Sequence, residues 1–315
     1  MYKVFIDGRE GTTGLRIIDR LKNRSDIELM IIPEELRKDP SERKKYLNAC
    51  DVAFLCLPDA AAKEAVSMVE NENVRIIDTS TAHRTNPDWV YGFPELFDRL
   101  ANALPTAKRV AVPGCHASGF NALVAPLVEA DVLSNDALLS CFSLTGYSGG
   151  GKKMIAEYEN DKSSELFSAR VYALSQTHKH LPEMKAICGL KNFPIFSPIV
   201  DDYYSGMLVT VPLFKEQTNG GIEAVKNTYI KKYSGKSFID ISDLSSEKNG
   251  AMLGSNNLSG KDNMQIFVTG NEDRFTVSAR FDNLGKGASG AAVECMNIML
   301  GLDPQTGLDF KGEGL

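Results

Sequence analysis

Six cysteines and four histidines are the residues of this 315-residue chain best suited to covalent and proton-transfer chemistry. One stretch singles out one thiol. Val110-Ala111-Val112-Pro113-Gly114-Cys115-His116-Ala117-Ser118-Gly119 reads as an apolar strand that breaks at Pro-Gly and restarts as a helix of small residues. Cys115 then stands at a helix N-terminus, where the helix dipole favours negative charge and lowers a thiol's pKa. Backbone N–H groups at the same end can hold an oxyanion. Such a thiolate is suited to attack an acyl group. The competing reading is a buried structural thiol, the usual state of a cysteine. That reading suits Phe54-Leu55-Cys56-Leu57 better than the Gly-Cys-His-Ala-Ser-Gly context of Cys115.

A nucleophilic thiol needs a proton shuttle. Ser175-Gln176-Thr177-His178-Lys179-His180-Leu181-Pro182-Glu183 supplies two histidines at alternating positions. In an extended segment they face opposite ways, so one reaches the thiol and the other is structural. His180 is the preferred acid–base residue, because Glu183 can orient its second nitrogen; His178 is the alternative. His116 is expected to point away from the same centre. His83, in Asp78-Thr79-Ser80-Thr81-Ala82-His83-Arg84, is expected to position rather than react.

The second signal is Gly8-Arg9-Glu10-Gly11-Thr12-Thr13-Gly14, directly after Val4-Phe5-Ile6 and before Leu15, Ile17, Ile18 and Leu21 at helical spacing. Glycines let backbone approach a pyrophosphate, and the helix start supplies N–H donors. Gly8, Arg9, Gly11, Thr12, Thr13 and Gly14 are therefore candidate cofactor-binding residues. Pro33-Glu34-Glu35 should end the second strand, where an acidic side chain accepts from a ribose hydroxyl. Arg9, Arg37 and Lys38 are equally able to receive a 2′-phosphate. The residues alone leave NAD and NADP both open.

The elements that position these groups change character along the chain. Val4–Ile6, Ile27–Ile32, Val52–Leu57, Val74–Ile77 and Arg109–Val112 read as strands, with helices after the first and at Ala60–Glu70. That alternation predicts an α/β fold, an N-terminal Rossmann-like doubly wound parallel sheet over residues 1–115, closed by a C-terminal helix within 286–315. Residues 116–285 carry strand candidates at Leu138–Leu144, Ile199–Pro212, Phe238–Ile241, Gln265–Thr269 and Arg274–Phe281, and a helix at Glu223–Tyr233. These predict an α+β catalytic and substrate domain with a mainly antiparallel sheet, one face of which commonly makes a subunit contact. Its Gly146-Tyr147-Ser148-Gly149-Gly150-Gly151-Lys152-Lys153 loop can cradle a phosphate, so Ser148, Gly149 and Lys152 are substrate-binding candidates. Arg280 and Lys286 are further anion partners. Asn283, Lys286 and Gly287 precede a helical pattern from Ala291 to Met299 that can return to the first domain and bring them beside a nicotinamide.

Composition narrows the class. A net charge of −6 gives no reason to expect a nucleic-acid or membrane partner. No apolar run approaches the roughly 18–20 residues of a membrane span, and the N-terminus does not read as a signal peptide. Scattered cysteines without a Cys-x-x-Cys pair fit free thiols in a reducing cytosol. No metal is expected, because the histidines lack zinc-ligand spacing.

Taken together, the glycine turn, Asp78–Arg84, Pro113–Ala117, Thr145–Lys153, His178–Glu183 and Phe281-Asp282-Asn283-Leu284-Gly285-Lys286-Gly287-Ala288-Ser289-Gly290-Ala291-Ala292 resemble the shorter variant of the N-acetyl-gamma-glutamyl-phosphate reductases of arginine biosynthesis. The resemblance covers essentially the whole chain, in the right order. It implies NADP as cofactor, Cys115 as acyl acceptor, an acyl phosphate and phosphate as small-molecule partners, and a homo-oligomer, dimer or tetramer. Through these blocks Ser80, Asn283, Gly285 and Lys286 join the cofactor candidates and Arg84 the substrate candidates. Thr79 departs from the small residue expected there. Aspartate-semialdehyde dehydrogenases are similar in layout, but their usual cysteine context is absent. The rival readings are that enzyme, another acyl-phosphate reductase, or a non-catalytic dinucleotide-binding protein.

Overall fold

A computed structural model describes residues 1–247 and 252–310. Contacts divide the chain into two units. The first joins Met1–Gly114 to Ala288–Leu308; the second begins at Cys115, runs to Gly287 and includes Asp309 and Phe310.

The first unit alternates strand and helix: β1 (Tyr2–Asp7), α1 (Thr12–Leu21), β2 (Ile27–Met30), α2 (Pro40–Ala49), β3 (Val52–Leu55), α3 (Asp59–Ser67), β4 (Arg75–Asp78), β5 (Val90–Tyr91), α4 (Asp98–Ala103) and β6 (Arg109–Ala111). Its six strands are ordered β2-β1-β3-β4-β6-β5 and all pairs are parallel. The order reverses between β1 and β3, a switch point of the kind that opens a ligand crevice at the strands' C-terminal ends. β3 is buried at every position, as a strand covered on both faces must be. Three elements escaped the sequence reading: α2, α4 and the two-residue β5. α2 is a polar helix set by Asp39, whose carboxylate accepts from Ser41 N and Glu42 N, and by Pro40 in its first turn.

The second unit holds α5 (Cys115–Glu129), β7 (Ser140–Gly146), α6 (Gly151–Glu159), β8 (Arg170–Val171), α7 (Leu181–Cys188), β9 (Ile195–Asp201), β10 (Met207–Phe214), α8 (Gly221–Tyr233), β11 (Ile239–Ile241), β12 (Met264–Gly270) and β13 (Arg274–Phe281). Its sheet runs β11-β12-β13-β10-β7-β9-β8. Four pairings are antiparallel and two, β7 with β9 and β11 with β12, are parallel. The expected single strand Ile199–Pro212 is two strands, parted by a turn in which Gly206 takes φ +125°. α5 packs against β10, β13, α7 and α8. It approaches the sheet so closely at Gly119 that an added methyl group would lie 2.5 Å from Val209 Cγ2.

α5 contains Pro126, which removes the N–H that would bond to the carbonyl of Ala122. Two tyrosines of α8 compensate: Tyr233 donates its hydroxyl to Ala122 O and Tyr229 to Leu123 O, each at 2.7 Å. Both are fully buried.

The chain closes with α9 (Gly290–Met299), which belongs to the first unit. The expected helical region 286–315 is thus helical over a shorter span, entered by one wide π-type turn at Gly285–Ser289; residues 311–315 lie outside the described residues. α9 is buried on nearly all sides rather than amphipathic. Its Ala291, Ala292, Val293 and Met296 join Val4, Ile6, Phe54, Ile77 and Val110 in one core. Among the described residues no helix is long and apolar enough to cross a membrane.

Candidate active site

In the first unit the glycine turn lies at the switch point. Gly8 takes φ +85°, and a Cβ there would stand 2.2 Å from the Cys56 carbonyl oxygen at the end of β3. A Cβ on Gly14 would meet Gly8 O at 2.7 Å and Arg9 Cα at 2.8 Å. α1 starts at Thr12 with Gly11 as its cap, so no side chain satisfies its first N–H groups. Thr12 Oγ1 is buried without a hydrogen-bond partner in the protein. A backbone cradle that excludes side chains, at a helix start with an orphaned hydroxyl, fits the pyrophosphate of a dinucleotide. Thr13 follows in the same turn. Arg9 Nη2 pairs with Glu34 Oε2 at 3.2 Å, and Arg37 Nε with Glu34 Oε1 at 2.6 Å. Glu34 therefore sits between two of the cations the sequence offers to a phosphate.

At the end of β4, Asp78 organises the remaining first-unit candidates. It accepts from Ser80 N at 2.9 Å and Ser80 Oγ at 2.7 Å, and lies 2.6 Å from His83 Nδ1. His83 stacks on Trp89 at 4.0 Å, a positioning arrangement. Arg84 donates from Nε to Val112 O and from Nη2 to Thr79 O, tying the ends of β4 and β6 together. The departure at Thr79 has a local use: its hydroxyl donates to Leu55 O at 3.0 Å.

The second unit holds Cys115, both candidate histidines, Ser148, Gly149, Lys152, Asn283, Gly285 and Lys286. Cys115 is the first residue of α5 and half-buried. Among the other thiols, burial pushes Cys50 and Cys56 up to about 12 and also raises Cys141 and Cys188. Thiols so desolvated are inert. The backbone of Gly287 lies against Cys115; a Cβ at 287 would be 3.0 Å from Cys115 Cβ.

The histidines correct the expectation of an extended segment. His178 and His180 lie on a turn leading into α7, and their rings meet at 4.7 Å instead of facing opposite ways. The backbone N–H of His180 donates to His178 Nδ1 at 3.1 Å, so a proton on neutral His178 resides on Nε2. His180 and Glu183 are both buried at the start of α7. His116 does not point away from this centre: its ring packs 5.6 Å from each of the other two histidines. Burial, with the positive charges of His178 and Lys179, pushes His116 down to about 3.

Sequence reasoning missed three residues here. Tyr172 bonds to His116 Nε2 and Ser143 to His116 Nδ1, each at 2.7 Å. Gln176 anchors the turn by pairing its amide with both backbone groups of Phe196 at 2.8 Å. That anchor holds Ala173 and Gln176 at φ +51° and +58°, left-handed values that cost non-glycine residues about 1 kcal/mol or more. No composition or spacing signal marks any of the three.

The loop candidates form a tight group. Asn283 Nδ2 donates to Ser148 Oγ at 3.0 Å while Asn283 Oδ1 accepts from Gly206 N. A Cβ on Gly149 would lie 3.6 Å from Asn283 Nδ2. Lys152 is exposed in the first turn of α6. A Cβ on Gly285 would stand 2.0 Å from Lys261 O, so only glycine fits. Lys286 is buried with Nζ 4.5 Å above the Phe238 ring. Arg280, offered as an anion partner, has its guanidinium engaged: it pairs with Glu247 at 2.6 Å and donates to Gln265.

Comparisons with known proteins fit this geometry. Residues 115–283 match the semialdehyde dehydrogenase dimerisation domain, and residues 32–103 match the semialdehyde dehydrogenase NAD binding domain. An N-acetyl-gamma-glutamyl-phosphate reductase of Sinorhizobium medicae is 45% identical over 305 residues, 95% of this chain and 98% of that protein. One from Brucella suis is 45% identical over 306 residues, 95% of this chain and 99% of its own length. Among solved structures, aspartate semialdehyde dehydrogenase from Francisella tularensis superposes with a TM-score of 0.71 at 15% identity, covering 95% of this chain and 100% of that one, a likeness of fold.

Proposed function

Since the chain belongs to the N-acetyl-gamma-glutamyl-phosphate reductase family, we propose that it reduces N-acetyl-L-glutamyl 5-phosphate to N-acetyl-L-glutamate 5-semialdehyde with NADPH, in arginine biosynthesis. The observation that carries the reading is Cys115 as first residue of α5, half-buried, with the other described thiols whose ionisation shifts all raised.

The Cys115 thiolate attacks the acyl carbon and expels phosphate, leaving a thioester on sulfur. The proton that balances the departing phosphate comes from His180, held by the first turn of α7 with Glu183, and His178 stands beside it. NADPH, when bound, supplies the hydride that reduces the thioester. The oxygen then re-forms its carbonyl double bond and Cys115 leaves as thiolate. First-turn N–H groups of α5 stabilise the oxygen while it is negative. Gly8, Arg9, Gly11, Thr12, Thr13, Gly14 and Ser80 hold the dinucleotide, with Asn283, Gly285 and Lys286 toward its reactive end. Ser148, Gly149, Lys152 and Arg84 take the substrate's anionic groups.

The protein acts as a homo-oligomer, a dimer or tetramer, in the cytoplasm. Support for assembly comes from the outer face of the second unit's sheet, where Phe142, Ile195 and Phe214 are exposed at 40%, 64% and 60%.

The test runs in the oxidative direction, with N-acetylglutamate semialdehyde, NADP and phosphate. The native protein turns over this aldehyde in preference to aspartate semialdehyde, and Cys115→Ser loses at least about a thousandfold in rate while still binding NADP. Turnover of the Ser variant near the native rate refutes the covalent route.

A further inference from the structure

Lys286 is a cation in a place where cations are costly. The residue is 2% exposed, and burying an ammonium group is unfavourable unless something compensates. Part of the compensation is the ring of Phe238, whose centroid lies 4.5 Å from Nζ, within the range of a cation–π contact. Phe238 is itself buried, one residue before β11, and its carbonyl accepts from Met264 N at 2.9 Å.

A segment from beyond α9 covers this pair. Half-buried Phe310 packs on Phe238 with ring centroids 4.7 Å apart and planes at 70°, an edge-to-face arrangement. Its backbone approach is fixed as well. Asp262 N donates to Asp309 O at 2.7 Å, and Asp309 N donates to Asp262 Oδ2 at 2.9 Å. Lys261 Nζ pairs with Asp309 Oδ1 at 3.2 Å. Residues 261 and 262 in turn lie against the residue before Lys286: a Cβ on Gly285 would stand 2.0 Å from Lys261 O and 3.1 Å from Asp262 Oδ1. Gly285 and Lys286 thus rest on two supports, Lys261–Asp262 and Phe238, and Asp309–Phe310 holds both.

We infer that Phe310 is a positioning residue: through Phe238 it fixes the Lys286 ammonium group before any ligand arrives. A long side chain ordered in advance loses no further freedom on binding, a difference of about three- to tenfold in affinity for one lysine.

The inference rests on the reading that Lys286 faces the reactive end of the dinucleotide. Calorimetric titrations of the full-length protein with NADP, without substrate, separate the two. Lys286→Met is expected to weaken NADP at least about tenfold, the loss of a hydrogen bond from a charged group. Phe310→Ala should weaken it about three- to tenfold, and Phe310→Tyr, which keeps the ring, should bind as the native protein does. In the Lys286→Met background Phe310→Ala should have no further effect, because no ammonium group is left to position. A role in fold stability alone would leave the affinity of the folded protein unchanged, or weaken it alike in both backgrounds. Phe310→Leu, a smaller change of volume, asks the same question if the Ala variant does not fold. Native affinity in Lys286→Met removes Lys286 from the cofactor and overturns the inference with it. A weakened Lys286→Met beside native affinity in Phe310→Ala, or equal losses from Phe310→Ala in both backgrounds, overturns the inference alone.

Discussion

Gly287 touches Cys115 through backbone: a methyl group at 287 would stand 3.0 Å from the cysteine Cβ, 3.0 Å from Asp282 O and 3.2 Å from the Phe281 ring. The π-type turn at Gly285–Ser289 thus bounds one side of the thiol. Gly287→Ala must displace either that turn or the start of α5. Activity should fall roughly 10- to 100-fold, since small displacements of reacting groups are expensive. Steady-state kinetics beside a thermal-unfolding control separate this from global loss of fold.

Gly14→Ala should abolish the cofactor cradle more than the fold. Its Cβ would meet the Gly8 carbonyl at 2.7 Å, both in the turn that approaches the pyrophosphate. NADP affinity measured by calorimetry should weaken at least about tenfold, which is about 1.4 kcal/mol. Native affinity in this variant would remove the glycine turn from the binding site.

Tyr233→Phe leaves the Ala122 carbonyl without its donor in a fully buried place. It should destabilise by about 1–3 kcal/mol in denaturant titration. Pro126→Ala returns a backbone N–H to that carbonyl, so Tyr233→Phe should be less harmful in that background. A double-mutant cycle with no coupling would refute the compensation.

His116 makes stability fall in acid. The unfolded chain takes up a proton near 6.5, whereas the folded site stays neutral down to about 3. Below about 6.5 the unfolded state binds more protons, so stability drops as pH falls, by up to ~1.4 kcal/mol per pH unit from this group. Above that value the contribution is complete and flat. Denaturant midpoints of the native protein and His116→Phe between about pH 7 and 5 should show the shallower slope in the variant.

The legible parts of the sequence were those whose chemistry is local. Strand, glycines and helix follow one another in the first twenty residues, and Pro113-Gly114-Cys115 announces a helix start. α2 was missed because its Pro-Ser-Glu-Arg-Lys-Lys composition carries no apolar stripe, although Asp39-Pro40 was a readable cap. β9 and β10 merged because both are apolar and the turn between them is short. The His116–Tyr172 contact spans 56 positions and depends on Ala173 and Gln176 in left-handed conformations, which those residue types do not advertise. The shape of the His178–His180 segment was misread, because period-two reasoning presumes a strand where the chain makes a turn.

The covering of the first sheet by α9 bears on how the polypeptide is made. Val4, Ile6 and Val110 leave the ribosome well before Ala291 to Met296, the helix residues that complete their core. Until that helix emerges the sheet lacks this cover, and its apolar side is open to chaperones or to other nascent chains. Truncation before residue 290 should therefore yield insoluble protein even though all six strands of the sheet are present.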